Sequence, residues 1–174
     1  LCAFATLREK KFSSATPEKR CIDYVNPFIG TAGTGHTFPG ACVPFGMVQV
    51  SPDTKTTGWE HCSGYHADDT TIEGFSHTHL SGTGCGDGGD IMLMPLIQNE
   101  YTDLSKPYAG STFKHENEKS SPGFYSAKFD NGINVELTST ERVGFHHYHF
   151  NSSDKSFVLL DLGHGISDNK THCN

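Results

Sequence analysis

Residues 124–139 read FYSAKFDNGINVELTS, and this stretch restricts the fold more tightly than any other. Asp130-Asn131-Gly132 stands between two runs in which apolar and polar residues alternate. Asn and Gly tolerate positive φ, so the run predicts a tight β-hairpin. Tyr125, Ala127 and Phe129 then share one face of the first strand. Ile133, Val135 and Leu137 share a face of its partner. RVGFHHYHF and SFVLLDL supply two further strands downstream. PFGMVQVSPD predicts a short strand over 47–50, entered and left through prolines. IMLMPLI predicts another over 91–97, with Pro95 pushing its second half towards a sheet edge or bulge. No window carries a helical period and no internal repeat is visible. The expected fold is therefore all-β, an antiparallel β-sandwich that is incomplete at its C-terminal end.

The chain is 174 residues long, the size of one ordinary domain and enough for a real core. Residues 1–21 form a polar, charged stretch without periodicity, read as a disordered leader, linker or signal-peptide remnant, and 22–174 as the sandwich domain. The first residue is Leu1 and the last lies just beyond a strand-like run, so both ends read as cut. Thirteen basic residues against twenty acidic ones give a formal charge of −7. With no Lys/Arg cluster, this argues against a nucleic-acid partner. No run is long and apolar enough for a membrane span. Six cysteines (Cys2, Cys21, Cys42, Cys62, Cys85 and Cys173) leave every pairing open, and no CxxC is present. Two glycosylation sequons, at Asn151 and Asn169, lean towards an exported protein, whether periplasmic, cell-surface or extracellular.

Most of the chemically capable side chains fall between residues 58 and 90. GFSHTHLSGTGCGDGGD, residues 74–90, sets His77 two residues from His79 and follows them with Gly82, Gly84, Gly86, Gly88 and Gly89. In an extended segment residues two apart point the same way. His77 with His79, and His147 with His149 in FHHYHF, are thus candidate pairs for a transition metal. The competing reading is polar residues hydrogen-bonded to their neighbours. The glycine run lacks the Gly-Lys-Ser/Thr ending of a phosphate loop, so its glycines are read as allowing close backbone approach. Asp87 and Asp90 lack the spacing of an EF-hand calcium loop. Trp59, the single tryptophan, sits among polar residues beside Glu60 and His61. That setting suits sugar recognition, a flat ring stacking on a pyranose while acid and imidazole bind hydroxyls. It equally suits a plug at one end of the sandwich.

Taken together, YVNPFIGTAGTGHTFPGACVPFGMVQVSPDT, GWEHCSGYH and IEGFSHTHLSGTGCGDGGDIMLMP resemble the N-terminal portion of glycoside hydrolase family 92. The likeness continues more loosely through SPGFYSAKFDNGINVELTSTERVGFHHYHF. Members are exo-acting α-mannosidases, and the resemblance implies a β-sandwich packed on a C-terminal (α/α)6 barrel of the same chain. It further implies hydrolysis of mannose-containing glycans with inversion, dependent on calcium whose ligands lie mostly outside this fragment. The catalytic acid and base belong to the barrel, so none is expected here and the fragment alone is expected to be inactive. Trp59 matches the family's tryptophan beside the leaving-side mannose in enzymes cutting α-1,2 links. Glu60, His61 and Cys62 follow it as candidate substrate-binding residues along the same wall. Because calcium takes oxygen ligands, the resemblance makes His77 and His79 supports of the loop layer rather than metal ligands, and His147 and His149 likewise. Two other readings remain: a free-standing carbohydrate-binding sandwich without catalysis, and a sandwich that binds zinc or iron through the two histidine pairs.

Overall fold

The computed structural model describes residues 19–97, 108–151 and 155–166. Among these residues, ten strands form two five-stranded antiparallel sheets. The first holds β1 (Ala41–Cys42), β2 (Gln49–Asp53), β4 (Gly74–Ser76), β5 (Met92–Ile97) and β10 (Ser156–Asp161), side by side in that order. The second holds β3 (Thr71–Ile72), β6 (Ser111–Ser121), β7 (Phe124–Phe129), β8 (Asn134–Ser139) and β9 (Gly144–His149). Short 3-10 turns at Cys21–Tyr24 and Trp59–His61 are the only helical segments among the described residues. The leader expected over 1–21 falls almost wholly outside those residues, as do the Asn169 sequon, Cys2 and Cys173.

The hairpin forms where the alternation places it. Tyr125 pairs with Leu137 and Ala127 with Val135. Tyr125, Ala127, Phe129, Ile133, Val135 and Leu137 are all buried. Gly132 takes φ +92°, and the Asn131 side chain accepts a hydrogen bond from the Ile133 amide at 3.0 Å, an Asx-type turn. Alanine at 132 would strain the backbone and bring its Cβ to 2.3 Å from the Asn151 side-chain nitrogen Nδ2. Gly132→Ala is expected to cost about 1–2 kcal/mol, the penalty for an L side chain in this region. A denaturant melt checks it, and an unchanged midpoint would refute it.

Across the sandwich, Phe75 of β4 stacks on Phe129 of β7, with ring centroids 6.1 Å apart. Val50, Met92, Met94 and Leu96 from one sheet meet Phe113, Tyr125 and Leu137 from the other. Each such side chain, fully buried, contributes about 1.5–3 kcal/mol before entropy is counted. Two expected strands shift slightly: the 47–50 strand runs Gln49–Asp53 and the 91–97 strand Met92–Ile97. Pro95 makes neither an edge strand nor a bulge of β5, which lies between β4 and β10; it pairs in register with Val158 of β10, on the side away from β4. β6 has no alternation in its sequence, STFKHENEKSS. Between Phe113↔Phe129 and Glu118↔Ala127 it gains residues over β7 in a bulge, which turns Glu118 inward. Its buried carboxylate accepts hydrogen bonds from the Tyr65 hydroxyl (2.6 Å), the Tyr125 hydroxyl (2.7 Å) and the His115 Nδ1–H (2.6 Å).

Candidate functional site

Four loops, residues 26–40, 54–70, 77–91 and 162–166, knit into one layer beside the first sheet. The Gly82 amide donates to the His36 carbonyl at 2.6 Å, Ala67 to Thr31 at 2.9 Å, Gly89 to Thr78 at 2.6 Å and Ile166 to Gly88 at 2.8 Å. The Ser63 hydroxyl donates to the Thr37 carbonyl at 3.1 Å. Part of the glycine run serves close approach, although a Cβ on Gly82 would meet nothing within 4 Å. A Cβ on Gly88 would stand 2.6 Å from the Thr78 carbonyl oxygen, and one on Gly89 would stand 2.7 Å from the Ile166 nitrogen.

Trp59 opens a 3-10 turn immediately after Gly58, whose φ is +101°. The residue is 57% exposed. One side meets the His36 ring edge-on, with centroids 4.7 Å apart and planes at 84°. The ring tip passes so near Gly84 that a Cβ there would lie 2.8 Å away. Trp59 is thus a braced ledge and not a core plug. Glu60 beside it is exposed. His61 and Cys62 turn inward: the His61 Nε2–H donates to Asp69 at 2.8 Å, and the Cys62 thiol donates to the Trp59 carbonyl at 3.0 Å. Of the four residues expected along one wall, two face outward and two hold the turn that displays them.

The two histidine pairs fare differently. The chain bends at His77, just past the end of β4, so the two-residue spacing does not bring His77 and His79 onto one face. His79 is fully buried. Its Nδ1–H donates to the Gln49 carbonyl at 2.8 Å, and its Nε2 meets Asp53 Oδ1 at 2.8 Å. Asp53 Oδ2 in turn accepts from His164 Nε2–H at 2.9 Å. Burial alone would push the Asp53 carboxyl up. The two imidazoles outweigh it and hold the group below the usual aspartate range. Burial pushes His164 down, but its hydrogen bond to Asp53 and that group's charge leave it above the ordinary imidazole value. His77 instead binds the Ile91 carbonyl through Nδ1–H at 2.6 Å and faces His146. His147 and His149 project from the exposed face of β9, and His147 pairs across the strand with Glu136 at 2.9 Å.

No group of three or more His, Cys, Asp or Glu that could hold a metal occurs among the described residues. Nor do these residues fit calcium. Asp87 caps its neighbour Gly88 and Asp90 binds the Thr78 hydroxyl, while Asp53 is taken by two imidazoles. His36, Asp53, Asp69 and His164 escaped the sequence reading. Asp53 and His164 are separated by 111 positions, and no local pattern links them.

A family model described as the glycosyl hydrolase family 92 N-terminal domain matches residues 24–174. The chain belongs to this family. It superposes on a family 92 α-mannosidase of Bacteroides thetaiotaomicron, solved with mannoimidazole, at TM-score 0.78 and 39% identity, covering 84% of this chain and 20% of that one. A family 92 inverting mannosidase of Bacteroides thetaiotaomicron VPI-5482 gives TM-score 0.68 and 31% identity, covering 83% and 20%. A secreted glycosidase of Arthroderma benhamiae, itself uncharacterized, is 34% identical over 160 residues, 86% of this chain and 20% of its own length. The chain therefore spans one fifth of the length of each of these relatives, and it corresponds to the family's N-terminal domain. No helix among its described residues is long and apolar enough to cross a membrane.

Proposed function

We propose that this family 92 domain forms one wall of the sugar pocket of an exported, calcium-dependent, inverting exo-α-mannosidase that acts on α-1,2 links of mannose-rich glycans. The observation that carries the reading is Trp59, half out of the loop layer and braced by His36 and Gly84, in a domain whose solved relatives are mannosidases. A flat aromatic face fixed in this way can stack on the C–H face of a pyranose. Glu60 beside it offers acceptors to hydroxyls, while His61 and Cys62 hold the turn from behind. The disulfide-bonded state of Cys85 and the secreted fungal relative support export, since disulfides persist in oxidising compartments.

Inversion needs one carboxylic acid on the leaving oxygen and a carboxylate activating water from the opposite face, about 6.5–9.5 Å apart. The buried carboxylates of this domain are committed elsewhere, Asp53 to two imidazoles and Glu118 to two tyrosines and a histidine. As the family resemblance implies, the acid and the base are assigned to the C-terminal barrel of the intact protein, and the calcium ligands mostly lie outside this domain. The domain's own share is to orient the sugar and exclude water. The intact protein is expected to release mannose from α-1,2-mannobiose as the β-anomer, by NMR within the first turnovers, and to stop when calcium is chelated. Retention of the α-anomer, or full activity without calcium, would remove that part of the reading. Binding of the glycan without any cleavage would favour a carbohydrate-binding module.

A further inference from the structure

His146, on the inward face of β9, and His77, just past β4, point their Nε2 atoms at each other across the gap between the two sheets, 3.0 Å apart. Their rings are tilted by 40°, with centroids 4.9 Å apart. No part of the sugar-binding reading uses them. Hydrogen bonds assign the tautomers. His77 donates Nδ1–H to the Ile91 carbonyl, so its Nε2 carries a lone pair aimed at His146. His146 supplies the shared proton from Nε2 and accepts at Nδ1 from the Tyr148 hydroxyl, 2.7 Å away. Gly144 makes the approach possible. Its backbone is ordinary, yet a Cβ there would lie 2.7 Å from His77 Cδ2.

We infer that His77 and His146 form a two-imidazole site for a divalent transition metal of the copper class, seated between the sheets. Imidazole ligands are normally oriented by a hydrogen bond from their other ring nitrogen to a carbonyl or similar acceptor, and both orienting partners are already in place. With metal–nitrogen bonds of about 2.0 Å, nitrogens 3.0 Å apart subtend about 97° at the ion. That is the cis angle of a tetragonal Cu(II) or Ni(II) site; a tetrahedral ion wants nearer 109°. The remaining positions fall to water. Neither ring loses a proton on binding. The His146 proton moves from Nε2 to Nδ1, and the Tyr148 hydroxyl turns from donor to acceptor. Calcium, a hard cation, is no competitor for imidazole nitrogen. The site therefore stands apart from the metal assigned to the hydrolytic reaction.

The test adds one equivalent of Cu(II) alone to the chelator-stripped intact protein, with calcium restored in excess. Electron paramagnetic resonance should give a tetragonal signal whose spin-echo modulation counts two imidazoles. His77→Gln and His146→Gln should each raise the Kd at least tenfold. His147→Gln, on the opposite face of the same strand, should leave it unchanged. Metal-free melts of the variants separate lost binding from lost fold, and where one variant does not fold the other decides. A single coordinated imidazole, a signal that survives both substitutions, or one that disappears with His147→Gln would overturn the assignment.

Discussion

Replacing Asp53 by alanine is expected to destabilise the domain by about 3–5 kcal/mol, the usual cost of removing one member of a buried charge network. Asp53 is 0% exposed and stands between His79 and His164. Without it, two buried imidazole N–H groups lose their acceptor. Domains of this size are stable by about 5–15 kcal/mol, so the variant would sit near the edge of folding. Asp53→Asn, which keeps the shape and one acceptor oxygen, should lose less. The pH dependence follows from the two shifts. Asp53 lies below its ordinary 3.8 in the folded state, so its contribution is complete above that value and lost as pH falls through the lowered one. His164 lies above its ordinary 6.5, so its contribution is complete below that value and lost as pH rises through the raised one. The stability gap between the wild type and Asp53→Ala should thus be widest at about pH 5 and narrower at about pH 9. Thermal melts of both proteins across this range check it. A gap that is constant with pH, or below about 1 kcal/mol, would show that the network contributes little.

Trp59→Ala is expected to lower kcat/KM of the intact protein on α-1,2-mannobiose by about 10–100-fold, equivalent to about 1.4–2.7 kcal/mol of lost binding to the transition state. The figure is that of an aromatic face stacked on a sugar, its buried area plus its specific geometry. Since Trp59 is 57% exposed, the variant should melt close to the wild type, which separates lost recognition from lost folding. Trp59→Phe should recover part of the activity, because a smaller ring still offers a face. An aryl mannoside, whose leaving group is not a sugar, should be affected much less than mannobiose. Equal losses on both substrates would place Trp59 away from the leaving-side sugar. Unchanged activity on mannobiose would remove it from the pocket.

How much of this was legible in advance depends on the range over which the physics acts. The β7–β8 hairpin was open to sequence reading because a turn residue with positive φ and a period-two pattern are local properties. β6 was not, because its bulge and its inward Glu118 answer to Tyr65 and Tyr125 on other segments, and in isolation KHENEK reads as solvent-facing. The HxH motif misleads for a related reason. Two-residue spacing implies a common face only while the chain stays extended, and the bend at His77 sends one imidazole to His146 and the other to Asp53.

By itself, the amino-acid sequence determined the all-β class, the principal hairpin with its inward residues, and the family, since ordered motifs and alternation survive without knowledge of distant contacts. Tertiary structure alone decided which of Trp59, Glu60, His61 and Cys62 face outward, that Asp53 joins two histidines 26 and 111 positions away, and that His77 finds His146 across the sheets. Those outcomes rest on long-range packing, in which partners are chosen by the closure of two sheets and not by spacing along the chain.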